Sequence, residues 1–235
     1  MDQAFIQHVV QVLRQGGVVA HPTDTCYGLA ADIFNEKALR HLYEMKGMAS
    51  EKPVSILVRS LEEAKRFGEF SLLAIRLAER FWPGPLTLVV PRTPELPLFL
   101  NPEVSEVGIR FIDEPISKAM LAAFGGPVTT TSANAHGKPS PYGVEEISVE
   151  ADAILDGGGL NRAQKPSTLI RVVGDKAEIL REGSRVEEYK KAIQELERGK
   201  RGCKGGGRTS LTLRACCNLI GLHAVPVRRS QVENP

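Results

Sequence analysis

Apolar residues fall into two alternating patterns along the first 197 residues of this chain. Helical spacing, as at Ile6, Val9, Val10 and Leu13, alternates with short β-branched runs such as Leu86–Val90. The helical spacing predicts helices at 3–15, 35–46, 61–67, 70–81 and 115–124. The short apolar runs predict strands at 17–21, 53–58, 86–91, 107–111, 127–131, 152–155, 167–173 and 177–181. This alternation favours a layered α/β domain.

The last two predicted strands are close enough to form a hairpin around Gly174-Asp175, so a mixed sheet is expected. A final helix follows, since Ser184 and Glu187 have the spacing of a capping box before an apolar face. After Arg198 the helical pattern stops, and the chain becomes basic and Gly-rich. We therefore predict one domain at residues 1–197 and a disordered tail at 198–235.

Composition agrees with a single globular domain, since the 235 residues are 42% hydrophobic and 25% charged. The net charge of +2 is uneven: residues 198–235 hold eight Lys/Arg and one Glu, or +7, which leaves −5 for residues 1–197. No stretch of about 18 apolar residues or signal sequence is visible, so a cytoplasmic protein with no membrane contact is expected. Of the four cysteines, Cys26 lies in the predicted domain and the other three in the tail, so no disulfide framework is visible within the domain. The spacing of Cys216-Cys217 and His223 matches no common zinc site.

Two segments carry the candidate chemistry, because each passes from a β-branched strand into small hydroxyl and amide residues. They are residues 127–141, with Ser132 and Asn134, and residues 18–31, with Thr23 and Thr25. In open α/β sheets ligands bind beyond the carboxyl ends of strands, so the two segments are expected to converge. The alternative is that each is an ordinary turn that ends a strand. Arg110, inside a strand pattern, needs an anionic partner if it points inward.

Seven motifs in order closely resemble the YrdC/TsaC family over about residues 5–184. They are His21-Pro-Thr-Asp-Thr-Cys-Tyr-Gly28, Lys52-Pro53, Phe81-Trp-Pro-Gly-Pro-Leu-Thr87, Val107-Gly-Ile-Arg110, Thr131-Ser-Ala-Asn134, Lys165-Pro-Ser-Thr168 and Leu180-Arg-Glu-Gly183. The resemblance implies a YrdC-like twisted open mixed sheet with flanking helices. It also implies an L-threonylcarbamoyladenylate synthase, a nucleotidyltransferase that uses L-threonine, bicarbonate and ATP. Its product serves the N6-threonylcarbamoyladenosine (t6A) modification of tRNA, through a threonylcarbamoyl-transfer complex.

The resemblance further implies a role for each of ten residues. Lys46 and Arg110 are implied in catalysis, Thr25, Arg110, Thr130 and Ser167 in threonine binding, and Lys52, Ser132, Asn134, Ser140 and Arg181 in ATP binding. Arg110 would pair with the threonine carboxylate, because a planar guanidinium matches a carboxylate better than an ammonium does. Mg²⁺ is expected as the counter-ion of ATP, without a protein-only metal site.

One departure from the family pattern lies at Met48, where members commonly carry an arginine that contacts ATP phosphates. Either a lysine of the following loop, such as Lys52, replaces the missing positive charge, or ATP binding is weaker. Two alternatives stay open: a non-catalytic YrdC-like RNA-binding or regulatory protein, to which the basic tail would contribute, and a carbamoyl transferase of the hydrogenase-maturation type. The sequence leaves His21 and His136 as solvated or satisfied loop residues.

Overall fold

A computed structural model describes residues 3–48 and 52–203, with side chains up to Arg198. The described helices are α1 (Gln3–Arg14), α2 (Glu36–Lys46), α3 (Leu61–Phe67), α4 (Leu72–Phe81), α5 (Pro115–Phe124) and α6 (Val186–Cys203), with a 3₁₀ turn at Val144–Glu146. The described strands are β1 (Val19–His21), β2 (Gly28–Ala30), β3 (Ser55–Leu57), β4 (Leu86–Pro91), β5 (Glu106–Arg110), β6 (Val128–Ser132), β7 (Ala153–Ile154), β8 (Thr168–Val173) and β9 (Lys176–Arg181).

The strands form one open sheet in the order β7-β1-β2-β6-β3-β5-β4-β8-β9. Three neighbouring pairs are parallel, namely β1/β7, β3/β5 and β4/β8, and the other five are antiparallel. The predicted mixed α/β sheet is therefore confirmed. The hairpin of β8 and β9 is confirmed too, and Gly174 occupies its turn with a φ of 56°.

Helices cover both faces of the sheet because side chains on each strand alternate between two cores. Val19, Ala30 and Leu57 pack on the face that α1 and α5 cover. Their neighbours Ala20 and Leu29 pack on the opposite face, together with buried side chains of α2, α3, α4 and α6. The short apolar runs found in the sequence are thus strands buried on both sides.

Two helices that border the functional site have clear start and stop signals. Helix α2 begins after Asn35, whose side-chain oxygen accepts from Lys37 N at 3.1 Å, and it ends at Gly47 with a φ of 56°. Helix α5 begins with Pro115 after the capping carboxylate of Glu114. These signals place Lys46 at the last turn of α2 and Ser117 in the first turn of α5.

The structure differs from the sequence prediction at three places. Strand β2 was not predicted, because three residues beginning with glycine give no readable period. The predicted capping box at Ser184 is wrong, because the Ser184 hydroxyl donates to Lys165 O at 2.7 Å. Tyr189 N donates to Arg185 O, and the helix begins at Val186. The predicted tail begins inside α6, and its residues 204–235 lie outside the described part of the chain.

Contacts within the chain divide it into units of residues 1–197 and 198–235. No helix in the described ranges is long and apolar enough to cross a bilayer.

Candidate active site

A cavity of about 210 Å³ opens where the loop after β1 meets the ends of the central strands. Its walls come from Thr23, Thr25 and Cys26, the start of β4, the last residue of β5, the end of β6 and the residues just before β8. Seven of the ten predicted site residues line this cavity: Thr25, Arg110, Thr130, Ser132, Ser140, Ser167 and Arg181. The expected convergence of the segments 18–31 and 127–141 at strand ends is therefore confirmed.

Arg110 is the last residue of β5, and it is 5% exposed. Its Nη2 donates to Oδ1 of Asp24 and, at 3.0 Å, to Oγ1 of Thr25. The buried cation thus has the anionic partner that its place in a strand requires. That partner is a residue of the chain itself.

Thr23 fixes the loop that carries Thr25. Its hydroxyl donates to Cys26 O at 2.6 Å and accepts from the backbone N–H groups of Thr25 and Cys26 at 3.1 and 3.2 Å. Because that single proton goes to a carbonyl, the Thr25 hydroxyl, 3.0 Å away, is the donor between the two side chains. The oxygen of Thr25 therefore faces the cavity with a lone pair to offer.

Ser167 and Arg181 build the opposite wall from the two strands at the edge of the sheet. Nε and Nη2 of Arg181 donate to Ser167 O at 3.1 and 2.9 Å, and Nη2 also donates to Ser167 Oγ at 3.0 Å. The Ser167 hydroxyl lies 3.0 Å from Oγ1 of Thr87 in β4. Parallel pairing of β4 with β8 brings these residues together, although 80 positions separate them.

The third wall consists of the end of β6 and the strand that the sequence did not predict. Gly28 of β2 pairs with Ser132 of β6, and Thr130 pairs with Ser55 of β3. Cys26 lies beside them, and burial raises the pKa of its thiol, which is therefore neutral at pH 7. This wall presents hydroxyls and no charged nucleophile.

The cavity carries an excess of positive charge. Arg110 and Arg181 are the charged residues among its described lining, and burial and the charge of Arg110 both lower the pKa of Arg181. Asp24 neutralises Arg110 from outside the lining. One guanidinium charge is left without a counter-charge, so an anion is the ligand that this cavity favours.

Comparisons with known proteins identify the family to which the chain belongs. A Sua5/YciO/YrdC family model, described as "Telomere recombination", matches residues 11–183. The chain belongs to this family. The Sua5/YciO/YrdC chain is 37% identical to a relative from Methanocaldococcus jannaschii over 182 residues, which cover 76% of this chain and 85% of the relative.

Two further matches come from Pyrococcus abyssi. A protein named threonylcarbamoyl-AMP synthase is 34% identical over 190 residues, or 78% of this chain and 56% of that protein. The crystal structure of P. abyssi Sua5 complexed with L-threonine superposes with a TM-score of 0.76 at 32% identity, over 82% of this chain and 58% of that one. The present Sua5/YciO/YrdC chain thus spans just over half the length of both.

Three predicted residues, Lys46, Lys52 and Asn134, do not line the cavity. Lys46 lies beside it, 4% exposed, and donates to Ser132 O at 2.5 Å and Asn134 O at 2.7 Å. Burial lowers the pKa of Lys46 to about 8. In this structure Lys46 holds the segment that follows β6, and its catalytic role stays a prediction.

Lys52 and Asn134 both make hydrogen bonds to residues of the loop 133–138. Lys52 is exposed, and its Nζ donates to Nε2 of His136 at 2.6 Å, while Asn134 donates to Lys138 O. Met48, at the position where the family pattern has arginine, packs against the hydrophobic core. Met48 therefore does not supply the positive charge of the family's arginine. Lys52 is an exposed cation four residues further along the chain.

The sequence analysis did not identify Asp24 and Thr87 as residues of the site, and it did not predict that His21 is buried. His21 is fully buried: its Nδ1 lies 2.8 Å from Ser117 Oγ and 3.1 Å from Pro22 O. Because the Ser117 hydroxyl donates to Pro22 O at 2.6 Å, Nδ1 must carry the imidazole proton. Nε2 is then a lone pair with no partner among the described residues. Burial, assisted by the charge of Arg110, lowers the pKa of His21 to about 4.

His21 should make the folded protein sensitive to acid. Between pH 6.5 and pH 4 the unfolded state binds a proton at this histidine that the folded state excludes, so stability falls as pH falls. From pH 7 to pH 5 the loss of unfolding free energy from this residue is expected to be about 2 kcal/mol. Denaturant titrations at several pH values check it. His21→Gln should show a smaller loss by that amount, while His8→Gln, at an exposed site, should behave as wild type.

Proposed function

We propose that this chain makes L-threonylcarbamoyladenylate and pyrophosphate from L-threonine, bicarbonate and ATP, as a nucleotidyltransferase. The observation that carries the proposal is the cavity between Arg110 and Arg181, which favours anions and lies at the strand ends of a Sua5/YciO/YrdC fold. Relatives with the name threonylcarbamoyl-AMP synthase, and the P. abyssi Sua5 structure with L-threonine, support the same activity.

The threonine would lie between Arg110 and Ser167. Nη1 of Arg110 makes no hydrogen bond to a described residue and is the donor for the carboxylate. Thr25 offers an acceptor, which suits an amino or hydroxyl group of the substrate. Ser167 and Thr130 lie on the walls to either side. Each group of a small amino acid therefore has a partner of the matching kind.

The nucleotide would extend from Ser132, Ser140 and Arg181 toward the loop 133–138. Ser132 and Ser140 line the cavity, and Lys52 and Asn134 border it on this side. Lys46 contributes by holding the end of β6, from which Ser132 projects. Mg²⁺ would arrive with ATP and neutralise charge on the phosphates.

The chemistry needs positioning and charge neutralisation more than a protein nucleophile. The threonine amine forms a bond to the carbon of bicarbonate and water leaves, which gives a carbamate. A carbamate oxygen then forms a bond to the α-phosphorus of ATP, and the bond from that phosphorus to the bridging oxygen of the β-phosphate breaks to release pyrophosphate. Arg110 and Arg181 would hold the anionic groups together in the cavity. The neutral thiol of Cys26 and the neutral His21 leave the carbamate as the nucleophile.

The product would pass to a transfer complex that modifies tRNA, in the cytoplasm where ATP and tRNA are present. The alternative is an RNA-binding or regulatory member of the family without catalysis. The basic residues 198–235 favour it. The two proposals differ in whether an adenylate forms.

Product analysis decides between them. With L-threonine, bicarbonate, ATP and Mg²⁺, we expect stoichiometric pyrophosphate and threonylcarbamoyl-AMP, detected by mass spectrometry. Omission of either threonine or bicarbonate should abolish both products. Binding of ATP without any adenylate would refute the synthase proposal, and salt-dependent binding of tRNA would then support the regulatory one.

A further inference from the structure

Asp24 and Arg110 form a buried ion pair at the edge of the cavity. Their side chains are 12% and 6% exposed, and the two residues are 86 positions apart. Arg110 lines the cavity, whereas Asp24 does not. The carboxylate therefore holds the guanidinium from outside the ligand space.

The nitrogens of Arg110 are divided between the protein and the cavity. Nη2 donates to Asp24 and Thr25, and Nε is buried without a partner among the described residues. Neither is free for a ligand, so Nη1 remains. Arg110 thus offers a substrate carboxylate one donor group, whereas the family resemblance led us to expect a guanidinium fork.

The other side of Asp24 borders the core. Its Oδ2 is buried and has no partner among the described residues, and the same holds for the hydroxyl of Tyr189 in α6. Burial raises the pKa of Tyr189 to about 12, and the Asp24 carboxylate contributes to that rise while Arg110 opposes it. Asp24 therefore lies within electrostatic reach of both Tyr189 and Arg110, in a place that water reaches poorly.

We propose that Asp24 is a positioning residue, which anchors Nη2 of Arg110 so that Nη1 alone faces the substrate carboxylate. This inference rests on the proposed function for the identity of the substrate. Without the anchor, the long Arg110 side chain has several rotamers, and the repulsion from Arg181 is no longer offset. Asp24 would then act on threonine only through Arg110.

A double-mutant cycle tests this dependence. Asp24→Asn is expected to raise KM for threonine about tenfold and to leave KM for ATP within about twofold. The double variant with Arg110→Lys should be no worse than Arg110→Lys alone, because the two residues act as one unit. Asp24→Glu, which keeps the carboxylate, should recover most of the threonine affinity.

Glu63→Gln is the matched control, since Glu63 is a 7% exposed carboxylate paired with Arg59 and does not line the cavity. It should lower the melting temperature without changing either KM. Additive effects in the cycle, or equal changes in both KM values for Asp24→Asn, would overturn the positioning role. If the wild type forms no adenylate, the proposed function fails. Calorimetric Kd values for L-threonine in the same variants then decide the role of Asp24 separately.

Discussion

Replacement of Arg110 by lysine is expected to raise KM for threonine by about 10- to 100-fold, with KM for ATP nearly unchanged. An ammonium is a point charge, so it cannot bind Asp24 and Thr25 while also presenting a donor to the cavity. Loss of one charge-assisted hydrogen bond costs about 1.5–3 kcal/mol, which corresponds to a fall in kcat/KM of about 10- to 100-fold. With kcat unchanged, KM for threonine rises by the same factor. The melting temperature should fall as well, because the same guanidinium holds the buried carboxylate. Steady-state kinetics with each substrate varied in turn, beside a thermal melt, measure both effects.

Arg92→Lys provides the comparison for stability alone. The Arg92 guanidinium donates to five backbone carbonyl groups of the loop 96–104, and it does not line the cavity. This variant should melt earlier but keep both KM values. If Arg110→Lys changes the two KM values equally, Arg110 serves only as a structural ion-pair member, and the proposed threonine site loses its cation.

Gly183→Ala is expected to destabilise the fold by about 3 kcal/mol and to weaken threonine binding at the same time. A Cβ at Gly183 would lie 2.7 Å from the carbonyl carbon and oxygen of Ser167, and closer still to Pro166 O. These are backbone atoms, so they cannot rotate away. Gly183 N also donates to Thr168 Oγ1 at 3.0 Å, so the segment before β8 must shift and carry the Ser167 hydroxyl with it. Urea denaturation and the KM for threonine check the two parts.

Gly159→Ala is the control, because a Cβ there would have no atom within 4 Å beyond the residue itself and its two chain neighbours, and the residue is not in the left-handed region. It should match the wild type in both measurements. An unchanged KM for threonine in a destabilised Gly183→Ala would mean that the Ser167 hydroxyl does not contact the substrate.

Most of the fold was predictable because its elements have local signals. Helix α5 was placed at its observed bounds, 115–124, where Pro115 begins it and Gly125, with a φ of 87°, ends it. Strand β4 likewise matches the predicted 86–91. Strand β2 was missed because Gly28–Ala30 is defined by its partners β1 and β6, and no three-residue pattern reveals a partner about 100 positions away.

The site was predictable as a set of residues but not as a set of bonds. Hydroxyls at strand ends and the family motifs led to seven residues that do line one cavity. Which atoms they engage depends on packing across the sheet. Arg110 has Asp24 as its partner, and Lys46 donates to two carbonyl oxygens, because segments distant in sequence meet beside the cavity. Sequence spacing carries no information about such contacts.

The walls of the cavity depend on contacts between residues far apart in the chain. Thr25 meets Arg110 across 85 positions, and Thr87 meets Ser167 across 80, so neither wall can assemble from a local hairpin or helix. Loops of that length must close before any pair of site residues is in place. Ligand binding should therefore report on the completed sheet as a whole: a bound substrate raises the unfolding free energy of the entire domain by mass action. A chain that ends before β8 would also lack the wall that Arg181 forms with Ser167.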